Sequence, residues 1–380
     1  MIKYLENNRV IDLHIIQSTP TSNLNRDENG NPKTTRFGGV KRGRVSSQAE
    51  KRASRDYMQD NYTTDGLFGT RSRLFATESV IPEVQERCPG VPVEKITAIV
   101  GSFINGYLAR MDKDKDAAVA SNIIFLSSME ITEIAYLVAE NIDLLLDKST
   151  SDIVMKKIWN SLVKKFKTHP TALDIALWGR MMTIKSEIAV DAATQVAHAI
   201  STHPFIMEDD FFSAIDDLAA PGSGAAMVGN ASCGSACFYK YANLHRNTLI
   251  DNLRGDKELT KLAAEYFLDS FVKSMPSGKQ NSYAALTPPS LVVAVVRNSG
   301  CGLSLANSFE KPVSPDRDGG YITPSALALE EGFKRAKKLY GKQIVGVSLF
   351  NLDNLPVTEF GESVDDFDAW LEKSVQLLDL

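Results

Sequence analysis

The chain has 380 residues, 43% of them hydrophobic, with 47 acidic against 42 basic side chains and a formal net charge of -5. This is enough to bury a sizeable core, as a main domain with large insertions or as two domains; the net charge argues against a bulk nucleic-acid binder but leaves room for a local basic groove. No apolar run approaches the roughly 18 to 20 residues needed to span a bilayer, the start MIKYLENNRVIDLHII lacks a signal peptide's apolar core, and four cysteines (Cys88, Cys233, Cys237, Cys301) are too few for a disulfide framework, so a reducing cytoplasm and no membrane are expected.

Residues 9 to 18, RVIDLHIIQS, are rich in β-branched side chains and predict a buried strand. The Asn-rich run that follows, with Asn-Gly and Asn-Pro breakers, predicts a loop. Ser47-Gln48-Ala49-Glu50 fits a capping box, Ser47 accepting from the Glu50 amide and Glu50 reaching back, so a helix is expected from Ser47 to about Asp60. Residues 66 to 169 read as mostly helical, with no strand. Alternation predicts strands in LDIALWGRMM, 173 to 182, and over 190 to 200, where the Ala-rich pattern also admits a helix.

Between Leu218 and Tyr239 there is no charged residue, and Gly222, Gly224, Gly229 and Gly234 punctuate the run. That is long for a loop in a compact domain, which points to function or mobility. CFYKYANL (237 to 244), LVVAVVR (291 to 297) and QIVGVSLF (343 to 350) read as strands. Leu259, Leu262, Ala263, Tyr266, Phe267 and Phe271 form an apolar helical stripe, and Thr323-Pro324 opens a helix to Tyr340. With the helical block set aside, the order contains β-α-β-β-α-β, an α+β, ferredoxin-like or RRM-like pattern.

Charge is concentrated in one place. Lys33, Arg36, Lys41, Arg42, Arg44, Lys51, Arg52 and Arg55 face one acid, Glu50. Gln48, Lys51, Arg52 and Arg55 share a helix face by their spacing, and the helix start at Ser46-Ser47 offers free amides. Several phosphates in a row suit this better than one small anion; a solvated basic face is the other reading. FGGVKRGRVSS lacks the GxxxxGK[ST] order of an ATPase loop.

Other constellations carry less. Asp27 precedes an Asn-Gly turn and reads first as a turn-forming carboxylate. Cys233 and Cys237 lack further ligands at zinc spacing, His198 reads as a core or strand histidine, and Ser232 in GNASCG is no nucleophile elbow. Lys156, Lys157, Lys164, Lys165 and Lys167 crowd the end of the helical block, where a solvated face is the plain reading.

LHIIQSTPTSNLNRD followed by FGGVKRGRVSSQAEKRASR resembles the N-terminal signature of CasC, the backbone subunit family of the type I-E CRISPR Cascade complex. DIALWGRM, VAHAISTH, FFSAIDDL, CFYKYANL and LSLANSFEK resemble the family in its order, whereas residues 61 to 170 match by position only. The resemblance implies a hand-shaped protein. Its RRM-like palm would take 1–60, 171–204 and 236–380, its helical fingers 61–170 and its thumb 205–235, the Gly-rich part at 219–235. Several copies would line one CRISPR guide RNA beside other Cascade subunits and present its bases to target DNA in antiviral defence, the protein holding backbone while base pairing reads sequence.

The RNA contacts so implied are Arg26, Ser46, Gln48, Lys51, Arg52 and Arg55, with Met181, Phe211 and Phe212 as apolar wedges; Arg42 and Arg44, which alternate on the segment entering the helix, join them on their charge. The family has Trp where this chain has Phe211. Lys156, Lys157, Lys164 and Lys165 would attract DNA. No cofactor and no catalysis are implied. The alternative is an RNA-guided endoribonuclease of type III kind using Asp27. A solitary RRM-like RNA binder is disfavoured because no aromatic K/R-G-F/Y-G/A-F-V-x-F/Y strand occurs.

Overall fold

The computed structural model describes residues 8–62, 66–112, 118–218 and 226–380. They fall into two compact units, one drawn from 1–60, 194–246 and 264–380, the other from 61–193 and 247–263. In chain order the strands are β1 (Arg9–Ser22), β2 (Thr34–Phe37), β3 (Val40–Val45), β4 (Gly69–Ser72), β5 (Ile124–Ser127), β6 (Thr194–Val196), β7 (Ala199–Ser201), β8 (Glu208–Ala214), β9 (Met227–His245), β10 (Leu291–Asn298) and β11 (Ile344–Asn351). Among the described residues no helix is long and apolar enough to cross a membrane.

The first unit is built on an antiparallel sheet in the order β11-β10-β1-β9-β7-β3-β2, with β6 and β8 also pairing β9. β1 sits centrally, against β10 from Arg9 to Ile16 and against β9 from Val10 to Ser22. Both its faces are covered, so its burial is nearly continuous and its apolar run shows little alternation. On one face the helix Ile322–Tyr340 packs Ala326, Leu329 and Phe333 against Tyr239, Tyr241, Leu291, Val293 and Val295. Trp370, wholly buried on the helix Phe367–Leu378, donates its indole N–H to the Ser348 carbonyl at 3.1 Å.

A buried polar cluster crosses this sheet. Asp12 accepts from Arg297 Nε (2.8 Å), the Tyr241 hydroxyl (2.7 Å) and the Leu303 amide (2.8 Å). The Tyr239 hydroxyl accepts from the Leu305 amide at 3.0 Å. These bonds fasten the irregular stretch 301–310 to the sheet, and that stretch in turn meets β3.

The second unit is helical, its core formed by Phe75, Val84, Ile96, Phe103, Ile134, Trp159 and Leu162 among others. Two expectations are corrected here. β4 and β5 pair as a short ribbon where a mostly helical stretch with no strand was expected. LDIALW is the helix Leu173–Trp178, not a strand. Residues 173 to 177 of it are all buried, including Asp174, whose carboxylate accepts from the Gly69 amide at 2.8 Å. A helix buried all round shows no amphipathic stripe, so its sequence mimics a strand.

Over 190 to 200 the extended reading holds, as β6 and β7. The uncharged run is not a loop throughout: from Met227 it belongs to β9, which starts ten residues before the expected 237 and pairs with β8 from Glu208↔Cys233 to Ala214↔Met227. Gly222 and Gly224 lie outside the described residues.

Candidate nucleic-acid interface

The helix α1 (Ser47–Asn61) starts one residue after a cap that differs from the expected box. Ser46, not Ser47, supplies the capping hydroxyl, accepting from the Ala49 amide at 3.3 Å, while Glu50 turns inward. The reason is charge. Lys240 lies buried on β9, and Glu50 pairs with it at 3.3 Å with both side chains 4% exposed. Ser54, also buried, meets the Ser270 hydroxyl at 2.6 Å. These inward contacts fix the rotation of α1, so Gln48 and Arg52 are exposed and Lys51 and Arg55 half-exposed on its outer face.

Partial burial draws the Lys51 ammonium below its ordinary range. Arg52 pairs with Asp56 at 3.3 Å, but at 80% exposure that contact is worth little and is easily exchanged for a phosphate.

β2 and β3 form a hairpin leading into α1. Arg42 is corrected here: its side chain is 0% exposed and cannot serve as a phosphate ligand. Its guanidinium donates to the carbonyls of Phe37 (3.2 Å), Ser201 (2.9 Å), Phe309 (2.8 Å) and Glu310 (3.3 Å), strapping the hairpin to the stretch 301–310. Arg44, two residues on, is half-buried beside a small cleft lined by Asn25, Lys33 and Phe205, and its Nε has no hydrogen-bond partner in the protein. Asn25 receives the Ser46 amide at 2.9 Å, so the loop bearing the exposed Arg26 adjoins the start of α1.

Arg26, Arg44, Ser46, Gln48, Lys51, Arg52 and Arg55 thus occupy one loop, strand end and helix of the same unit. Ser46 is buried and acts through its cap. Lys33, counted in the basic run, lines the cleft beside Arg44, whereas sequence reasoning did not bring His198 to the start of α1. His198 Nδ1 accepts from the Ser47 amide at 2.9 Å across 151 residues of chain, and no spacing reveals such a contact. Asp27 is exposed, and its Oδ1 accepts from the amides of Asn29 and Asn31, both at 2.9 Å. It is occupied in its own turn. Among the described residues no group of three or more His, Cys, Asp or Glu is placed to hold a metal ion.

The β8–β9 hairpin projects Phe211 at 70% and Phe212 at 44% exposure. Phe212 lies across Gly229: a Cβ there would fall 2.3 Å from its ring, so glycine is what lets the aromatic lie flat. Glu208, Asp209, Asp210, Asp216 and Asp217 flank the two phenylalanines in sequence. So many acids oppose contact with phosphates and leave stacking or protein contact to the apolar side chains.

In the helical unit, Met181 is 89% exposed. The residue before it is fully used: Arg180 donates to Glu130 at 2.6 Å and to the carbonyls of Ile188 and Phe125. On the helix Ser151–Thr168 the side chains of Lys156, Lys157 and Lys164 are exposed, whereas Lys165 is paired with Glu133.

The profile of the family described as CT1975-like protein matches residues 11–372. A solved chain of a "CRISPR RNA-guided surveillance complex, pre-nicking" is similar at 28% identity and TM-score 0.80, covering 97% of this chain and 100% of its own length. A second, from a "CRISPR RNA-guided surveillance complex", is similar at 25% identity and TM-score 0.73, covering 97% and 99%. A search of curated protein sequences returns no match. With a match this long, the likeness to CasC drawn from the sequence motifs holds, and the chain belongs to the CT1975-like protein family.

Proposed function

We propose that the protein is a guide-RNA-binding backbone subunit of a type I-E-like Cascade, set in several copies along a CRISPR guide with other Cascade subunits and presenting it to target DNA. One observation carries this reading. Lys51, Arg52 and Arg55 stand on one face of α1, whose rotation the buried Glu50–Lys240 pair sets, and Arg44 stands half-buried on the strand end before it. Such a row suits a polyanionic backbone, whose charge repeats along the strand. Similarity to chains of surveillance complexes supports it.

In this reading the sheet unit is an RRM-like palm, the β8–β9 hairpin a thumb and the helical unit, 61–193 with 247–263, the fingers. Met181, Phe211 and Phe212 are wedges beside the guide, Lys156, Lys157 and Lys164 offer charge to DNA, and the site of action is the cytoplasm. The test is the salt dependence of RNA affinity. Lys51→Glu with Arg55→Glu should weaken binding equally for unrelated sequences and flatten the slope of log K against log salt by about 0.7 per lost contact. An unchanged slope in a folded variant leaves the patch a solvated face.

The protein itself is taken to be no nuclease. Asp27, the candidate catalytic carboxylate, is engaged by two amides of its own turn. Assembled on a guide, the protein is expected to leave complementary RNA intact with magnesium present. Cleavage that disappears in Asp27→Ala would instead establish the endoribonuclease reading.

A further inference from the structure

His198 stands exposed just before β7, its Nδ1 accepting from the amide of Ser47, the first residue of α1. The ring therefore occupies an amide that a helix start otherwise offers to an anion. An imidazole that accepts at Nδ1 is neutral and carries its proton on Nε2. The charged groups acting on it are cations, Arg44 on β3 and Lys33 on the segment entering β2, while α1 contributes the Ser47 amide. With partial burial these cations hold the imidazole below its usual range, so the free chain keeps it neutral near pH 7.

We infer that His198 is a phosphate-binding residue of the groove, which releases the Ser47 amide and takes up one proton when a phosphodiester arrives. A phosphate beside Lys33 and Arg44 offsets part of their positive charge and offers the ring an anionic acceptor, which favours the imidazolium. The proton comes from water and enters at Nδ1, so the ring no longer accepts from Ser47. Both the ring N–H and the freed amide then point donors at the same anion. No bond to phosphorus forms or breaks. The inference rests on the guide-binding reading of α1.

The sign follows from linkage. The ring's pKa is higher with RNA bound than without, so affinity is greatest at acid pH and declines as pH rises through the bound-state value. His198→Gln keeps an acceptor for Ser47 and cannot titrate. The experiment measures affinity of the full chain for guide-length single-stranded RNA from about pH 5.5 to 8, for wild type and His198→Gln. It is paired with calorimetry in two buffers of different ionisation heat.

Wild type should lose affinity several-fold across that range and take up a fraction of a proton per site. His198→Gln should show a flatter profile and no uptake. Parallel profiles, or equal uptake in both proteins, overturn the role of His198 while RNA binding itself stands. A wild type that binds no RNA at any pH removes the guide-binding reading and this inference with it.

Discussion

Arg180→Ala is expected to destabilise the helical unit by about 3 to 5 kcal/mol, the cost of stranding one member of a buried ion pair. Arg180 and Glu130 are 2% and 3% exposed and meet at 2.6 Å. Glu130 also closes the capping box of the helix Ser128–Glu140: its Oε2 accepts from the Ser127 amide at 2.9 Å, and Ser127 Oγ accepts from the Glu130 amide at 3.1 Å. Removing the guanidinium leaves a buried carboxylate with only that amide, and leaves the Ile188 carbonyl without the two donors it now has.

Gly179, at φ +79, sends the chain sharply into Arg180, whose backbone exchanges hydrogen bonds of 2.8 and 3.0 Å with Val190. A Cβ at Gly179 would stand 2.9 Å from the Val190 carbonyl and the Ala192 amide, so only glycine fits that turn. The outward placement of Met181 depends on this anchoring. Urea unfolding should therefore separate two neighbours: Arg180→Ala unfolds far earlier, whereas Met181→Ala stays within about 0.5 kcal/mol of wild type. Adding Glu130→Gln to Arg180→Ala should recover part of the loss. An Arg180→Ala midpoint equal to wild type would mean that the pair does not hold this loop.

What was legible in the sequence divides along physical lines. β1, β10 and β11 follow from β-branched runs long enough to specify a strand unaided. The outer face of α1 follows from helical spacing, and the sequence suffices because that face needs no partner to be read. Arg42 was misplaced because composition treats every arginine as surface. Its burial is decided by residues 309 and 310, far along the chain, whose carbonyls pass over β3. His198, read as a core or strand histidine, instead meets the start of a helix in another part of the sheet unit.

The segment 173–178 was read as strand because burial on every side erased the helical period. The β8–β9 hairpin was obscured for a further reason. Its apolar side chains face outward, so nothing in the pattern of an independent fold predicts where they go.

That outward apolar hairpin carries the second large effect. Excising residues 210–231 and closing the gap with a short Gly-Ser turn should leave a folded monomer that no longer assembles on guide RNA. The described residues among those removed lie outside the buried core. Every residue of β8 is exposed, and the cluster at the hairpin's root, Val45, Ala199, Phe205, Ala236 and Phe238, lies outside the deletion.

The exposed side chains are another matter. Phe211, Ile215, Leu218, Met227 and Val228 are between 57% and 97% exposed, on one hairpin. Fully covering such a side chain contributes about 1.5 to 3 kcal/mol. Five of them together are of the same order as the cost of association, about 4 to 15 kcal/mol. Without the hairpin a copy joining a row on the guide keeps its phosphate contacts and loses the apolar surface that offsets that cost.

The variant should therefore melt like wild type and still bind RNA through α1 with an unchanged salt slope. Light scattering after size exclusion, with and without guide-length RNA, should find one copy per complex where wild type forms a multimer. If the excised variant forms RNA-bound multimers of wild-type size, the hairpin is not the element that joins the copies.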